Sequence, residues 1–320
     1  MTDTPTDHID LWVALPTPFL ANGEVDHAGL RLNVEKCVEA GLNGVYCNGL
    51  MGEVWALSPD ERKAALETIV EAGAGRVMIS PVTSGRTPEE SLDYTRHAQQ
   101  VGATHAVLSV PADAAGDGEL VESLTAVIGA VDMPYILFNP GRDGSRESLL
   151  TPGAFAQLCR IENVRILKTT ATDAENNGLR EIAAGTHVLV SDPLEEHFFT
   201  NMTQFGQRVL YCDPEGYLYQ SANNRPIREY VDLYLAGHHD LARQRFDSLA
   251  PLRAVYRKWI IGPLEHGAMP NAALKRWCEA VGMAGGPVRP HLAELSPAQR
   301  DEFDRDLAAA TQAVAGPVPS

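Results

Sequence analysis

Eight short, almost continuously apolar runs recur along this chain, each closing on polar or turn residues: LWVAL (11–15), GVYCNG (44–49), RVMISPV (76–82), HAVLSVP (105–111), YILFNP (135–140), VRILKT (164–169), HVLVSD (187–192) and RVLYCD (208–213). Strands of a parallel sheet covered by helices on both sides read this way, because neither face meets water. Amphipathic helical patterns fill the gaps at 27–41, 58–73, 87–102, 119–131, 151–160, 174–185 and 193–206. Two of them open with an N-cap, a proline at the first helical position and an acid at the third: Ser58-Pro59 with Glu61, and Thr87-Pro88 with Glu90. From about 224 to 312 the pattern is helical with no strand between. The rhythm predicts an α/β fold, a (β/α)8 TIM barrel over 1–222 with a C-terminal helical extension over 223–320 packed on it. The rival is an open doubly wound sheet, but no GxGxxG or GxxxxGK[ST] follows any strand.

Composition narrows the function classes. The 320 residues carry 42 acids against 26 bases, net −16, so binding to a nucleic-acid backbone is not expected. Hydrophobic residues make up 44%, ample for a packed core, and no 18-residue apolar run predicts a membrane span. The opening MTDTPTDHIDLW lacks the basic and apolar regions of a signal peptide. Five cysteines, an odd number with no CxxC, fit reduced, buried thiols in a cytoplasmic protein. His238-His239 has no second metal pair, so no metal is expected.

Chemistry in such a barrel sits at the C-terminal ends of the strands. There the sequence offers Pro16-Thr17-Pro18, Asn48 through Glu53, Thr83-Ser84, Ser109, Phe138-Asn139, Lys168-Thr169-Thr170, Ser191-Asp192 and Tyr211-Cys212-Asp213. Lys168 stands out, because it is the only one of five lysines on a strand. An ammonium in an apolar barrel is costly unless paired, and a desolvated, neutral amine attacks carbonyls to form a Schiff base. The plainer reading pairs Lys168 with a carboxylate such as Asp192. The turn Gly49-Leu50-Met51-Gly52-Glu53 joins a strand to a helix, and its N–H groups could receive a carboxylate. Asp192 and Asp213 read as acid/base groups or, preferably, as caps. Cys212 reads as core or as lining.

Five segments in order resemble the dihydrodipicolinate synthase / N-acetylneuraminate lyase superfamily of class I aldolases: ALPTPF (14–19), GLNGVYCNGLMGE (41–53) with LSPDER (57–62), ILFNPGRDG (136–144), ILKTTATD (166–173) and GGPVRP (285–290). The resemblance implies a Schiff base between Lys168 and a 2-oxo acid, usually pyruvate, with no cofactor and no metal. It implies a carboxylate pocket at the turn after the second strand, and a homotetramer or dimer. The departures are as informative. The family turn usually reads Gly-Thr-Thr-Gly-Glu, where this chain has Leu50 and Met51 before Gly52. Phe138 stands where the family has a proton-relaying Tyr, and VPADAAG (110–116) has no aromatic where the synthases carry another. A Phe neither donates nor accepts a proton. Arg142 is kept, and could hold a second substrate's carboxylate.

These readings predict a divergent lyase joining or splitting a 2-oxo acid and an aldehyde, an aldolase or hydratase-aldolase. Its proton would be moved by a water held on Asn139, Thr170 or Asp192, and the apolar turn favours a hydrophobic acceptor. The binding set is Leu50, Met51, Gly52, Arg142, Thr170, Asp192 and Cys212; the catalytic set is Lys168, Asn139 and Phe138. Two alternatives stand beside this one. The same Lys would serve a dehydratase or deaminase of a sugar acid or imino acid; or the barrel has become a non-catalytic binding or regulatory module.

Overall fold

The computed structural model describes residues 8–140 and 147–314. Eight strands are laid down in order: β1 Asp10–Ala14, β2 Gly44–Cys47, β3 Met78–Pro81, β4 Ala106–Ser109, β5 Tyr135–Asn139, β6 Val164–Thr169, β7 Leu189–Ser191 and β8 Val209–Tyr211. Each is one of the eight apolar runs. Between them lie α1 His27–Glu39, α2 Pro59–Gly73, α3 Pro88–Val101, α4 Asp117–Ala130, α5 Pro152–Leu158, α6 Asp173–Ala183 and α7 Glu195–Phe205. The short α8 Glu215–Tyr219 follows β8. The C-terminal region continues with α9 Pro226–Leu235, α10 His239–Asp247, α11 Ala250–Tyr256, a π-turn at Arg257–Ile261, α12 Gly262–Glu265, α13 Asn271–Ala280 and α14 Pro297–Val314. The expected capping box at Ser58 and Glu61 is formed, each side chain bonding the other's backbone N–H.

All strand pairs are parallel, in ladders ordered β3-β2-β1-β8 and β4-β5-β6-β7. Two seams close the ring. At one, Val82 bridges Val107, and the Thr83 amide donates to the Val107 carbonyl at 2.9 Å. At the other, side chains join β7 to β8. The Tyr211 amide donates to Ser191 Oγ at 3.0 Å, and the buried Gln207 amide spans from the Asp192 carbonyl (3.1 Å) to that of Val209 (2.9 Å).

Side chains alternate between the two faces of every strand. Trp12, Tyr46, Ile136, Ile166 and Tyr211 turn into the barrel, while Leu108, Leu137, Leu167 and Val190 turn outward onto Leu124, Phe155 and Leu179 of the helices. The inward set is unusually aromatic, and Gly44 makes room for it. Gly44 is opposite Trp12 in register, and a Cβ there would lie 2.3 Å from the indole. All five cysteines are free and buried, and burial pushes the Cys47 and Cys278 thiols up to about 12.

The C-terminal helices are tied to the barrel by buried charge. Arg253 of α11 forks onto Glu195 of α7, Nε to Oε2 at 2.8 Å and Nη2 to Oε1 at 2.9 Å. Lys275 of α13 reaches Glu53 beside the β2 turn at 2.5 Å. Among the described residues no helix is long and apolar enough to cross a membrane.

Candidate active site

Lys168 ends the inward face of β6 and is 4% exposed. Its Nζ donates to Tyr46 Oη at 2.5 Å and to Asp213 Oδ1 at 2.6 Å, and the Tyr46 hydroxyl donates to the same Asp213 oxygen at 2.8 Å. Three strand ends, β6, β2 and β8, therefore meet at one closed triangle. The ammonium lies 4.5 Å from the Tyr46 ring centre and 5.3 Å from that of Phe138, which is Lys168's register partner on β5. Two aromatic rings thus lie within cation–π reach of the ammonium.

Tyr46 is held rigidly. Its ring stacks on Tyr211 at 4.9 Å and 18°, and Tyr211 Oη lies 2.5 Å from Ser80 Oγ. Burial, reinforced by the charge of Asp213, pushes the Tyr46 phenol well above its ordinary range, so it carries its proton at neutral pH. Asp213 corrects two sequence readings. It is not a cap, since α8 has no side-chain cap, and it rather than Asp192 is the ion partner of Lys168.

The turn after β2 forms a 3-10 coil at Leu50–Gly52. Among the described residues, nothing accepts from the backbone N–H groups of Leu50 and Met51, while Asn271 Nδ2 donates to both their carbonyls, at 3.2 and 3.1 Å. The turn is thereby clamped by its oxygens with its amides left available. Gly52 lets it sit against β1: a Cβ would lie 3.0 Å from Thr17 Oγ1 and 3.3 Å from the Leu15 carbonyl. Glu53 leaves the turn with a left-handed backbone, φ 55°. Its Oε2 accepts from the Arg289 amide at 3.0 Å, while the Arg289 guanidinium holds Glu61 and the Gly23 and Ala56 carbonyls. Arg289 holds the Glu61 carboxyl down to about 2. Met51 is buried in the core, whereas the Leu50 side chain is half exposed.

Several sequence candidates are given other partners. Asn139 is fully buried; its Nδ2 donates to Ser148 Oγ and Thr169 Oγ1, and its Oδ1 accepts from the Leu149 amide. It ties β5 to the segment at 148–149 rather than holding a water at Lys168. Asp192 accepts from the Leu194 amide at 3.0 Å and from His197 Nδ1 at 3.1 Å, a turn-forming role that also raises the His197 pKa. Cys212 donates its thiol to the Trp12 carbonyl at 3.0 Å, and burial pushes its pKa well up, which argues against a thiolate. The Thr170 amide donates to the Asn139 carbonyl. Arg142 lies outside the described residues. Asp173, Asp192 and His197 bring ligand atoms within 4.8 Å of one another; the Arg180 guanidinium, bonded to Asn177 and Gln207, is near enough for its charge to act on both carboxylates.

Sequence reasoning passed over Tyr46 and Ser80, and named Tyr211 at its strand end without giving it a role. The available signal was parity: Tyr46 is two residues beyond Gly44, so both share the inward face of β2.

The model of the Dihydrodipicolinate synthetase family matches residues 8–310. The chain belongs to that family. A 4-hydroxy-tetrahydrodipicolinate synthase of Thermus thermophilus is 36% identical over 298 residues, spanning 91% of this chain and 92% of that protein. Among solved structures, the 4-hydroxy-tetrahydrodipicolinate synthase of Methylacidiphilum fumariolicum SolV superposes with a TM-score of 0.81 at 20% identity, covering 96% of this chain and 97% of its own. An N-acetylneuraminate lyase (sialic acid aldolase) of Aliivibrio salmonicida gives 0.79 at 22%, covering 95% and 97%. The expected TIM barrel is borne out by these dihydrodipicolinate synthetase-family folds.

Proposed function

We propose that this member of the dihydrodipicolinate synthetase family is a class I carbon–carbon lyase that binds a 2-oxo acid such as pyruvate as a Schiff base on Lys168. The observation that carries the reading is the position of Lys168: buried, inward-facing and at the C-terminal end of β6. The amine attacks C2 of the oxo acid, water leaves, and the iminium acts as electron sink for making or breaking the bond at C3. No separate cofactor is needed for that chemistry. The free amides of Leu50 and Met51 are the groups placed to receive the substrate carboxylate. The aldehyde partner meets an apolar wall at Phe138, which favours an acceptor with a hydrophobic or aromatic substituent. The working unit is proposed to be a homo-oligomer.

The test is borohydride trapping. The protein incubated with pyruvate and reduced should gain the mass of one reduced pyruvate, mapped to the peptide containing Lys168, and Lys168→Ala should gain none. An adduct with another 2-oxo acid but not pyruvate would revise the carboxylate pocket. No adduct with any oxo acid would refute the Schiff-base reading.

A further inference from the structure

We infer that Tyr46 and Asp213 are the proton relay of the Lys168 chemistry, doing the work for which Phe138 has no hydroxyl. The inference rests on the Schiff-base reading of Lys168. A carboxylate alone would satisfy a buried ammonium; here a phenol is also in contact, bonded to both members of the pair. Its ring is fixed by the Tyr211 stack, so the hydroxyl cannot swing away. Asp213 uses only Oδ1 for these bonds. Among the described residues Oδ2 has no hydrogen-bond partner, and the side chain is 15% exposed. The relay is therefore closed toward Lys168 and open toward the strand-end mouth, where substrate and solvent enter.

The protons balance over the cycle. One ammonium proton passes to Asp213, and the neutral amine attacks the C2 carbonyl, forming the N–C bond and moving the C=O π pair onto oxygen. That oxygen takes the Tyr46 proton, and Asp213 refills the phenol. The adduct nitrogen gives a second proton to Asp213, which reaches the new hydroxyl through Tyr46. The hydroxyl leaves as water while the nitrogen lone pair forms the iminium. Two of the ammonium protons leave on that water, one stays on nitrogen, and Tyr46 and Asp213 end as they began. Asp213 then accepts a C3 proton: the C–H pair becomes the C2=C3 bond and the iminium π pair returns to nitrogen. When C3 attacks the aldehyde, the same proton goes through Tyr46 to the aldehyde oxygen.

Two measurements on Tyr46→Phe and Asp213→Asn test this: the rate and final extent of borohydride-trapped pyruvate adduct, and exchange of the pyruvate methyl protons in D2O followed by NMR. Tyr46→Phe keeps the ring and its stack. If Asp213→Asn does not fold, Asp213→Ala, which also removes the carboxylate, takes its place under the same criteria. Both variants are expected to reach the parent's adduct on the Lys168 peptide after prolonged incubation, with the build-up slowed by about 10²-fold or more. Methyl exchange should fall by a similar factor in the Asp213 variant. A structural role alone would lower the extent of adduct and leave the rate per competent molecule unchanged. A rate within about threefold of the parent in either variant, against the 10²-fold or more ascribed to general acid–base groups, overturns the relay. A parent chain that never traps pyruvate or another oxo acid fails earlier, and refutes the Lys168 reading itself.

Discussion

Replacing Glu53 with glutamine isolates the charge that holds the β2 turn to the C-terminal helices. Glu53 is fully buried, and its Oε1 lies 2.5 Å from Lys275 Nζ, itself 2% exposed at the side chain. Its Oε2 takes the Arg289 amide. Among the described residues, Lys275 Nζ otherwise bonds the Pro287 carbonyl at 2.8 Å and lies over the face of Phe19 at 4.1 Å. Glutamine keeps the shape but not the match. If its oxygen faces Lys275, its NH2 confronts the Arg289 amide, donor against donor; if it is flipped, the NH2 faces the ammonium. Breaking a buried pair on one side costs about 3–5 kcal/mol. An unfolding entropy of about 2.1 cal/mol/K per residue over 320 residues gives ~0.67 kcal/mol/K. The expected fall in Tm is therefore about 4–8 °C. Burial already lowers the Lys275 pKa, and Glu53 opposes it. Without Glu53 the folded-state value drops further below the unfolded one, so the variant should regain stability relative to the parent as pH rises toward the unfolded lysine pKa. Glu53→Met with Lys275→Met removes both charges and should recover most of the loss, since apolar replacement of a buried pair is near neutral or better. Calorimetry on the parent, the single variant and the double variant is the assay. A Glu53→Gln shift under about 2 °C, or a double variant no better than the single, would show that charge pairing is not what holds the turn.

Other expectations follow from particular contacts. Gly44→Ala should cost about 1–3 kcal/mol in urea unfolding, because its Cβ would meet the Trp12 indole at 2.3 Å, and Trp12→Leu in the same chain should relieve it. Gln207→Ala should cost about 3 kcal/mol or more by leaving the Asp192 amide and the Val209 carbonyl unpaired at the β7–β8 seam; a loss within experimental error would show that the seam does not depend on it. Burial lowers the pKa of His105, packed edge-on against Trp12, to about 4. The unfolded chain then binds the extra proton first, so stability should fall as pH drops from about 6.5 toward 4, and His105→Phe should flatten that part of the profile. Asn271→Ala frees the Leu50 and Met51 carbonyls and should raise the KM for the oxo acid with kcat little changed; the reverse pattern would place the turn outside the carboxylate pocket.

The strand and helix order of this family member was legible because it is written locally. Apolar runs of strand length repeat eight times with amphipathic helices between them, and each reports its own period. Lys168 was legible for the same reason: one cation ends one apolar run, and its cost there is evident without a neighbour. What the sequence alone could not supply was its company. Tyr46 is 122 residues from Lys168 and Asp213 is 45 residues away; an equally good local reading made Asp192 the partner and Asp213 a cap. The choice was made by ring closure. The parallel register brings the ends of β2, β6 and β8 to the same mouth, and the parity of each strand decides which side chains turn inward. The same parity faces Phe138 toward Lys168 and leaves Asn139, one residue on, to bond the 148–149 segment. A chain's local pattern determines how many strands it makes, but which side chains share the barrel axis is a property of the closed ring alone.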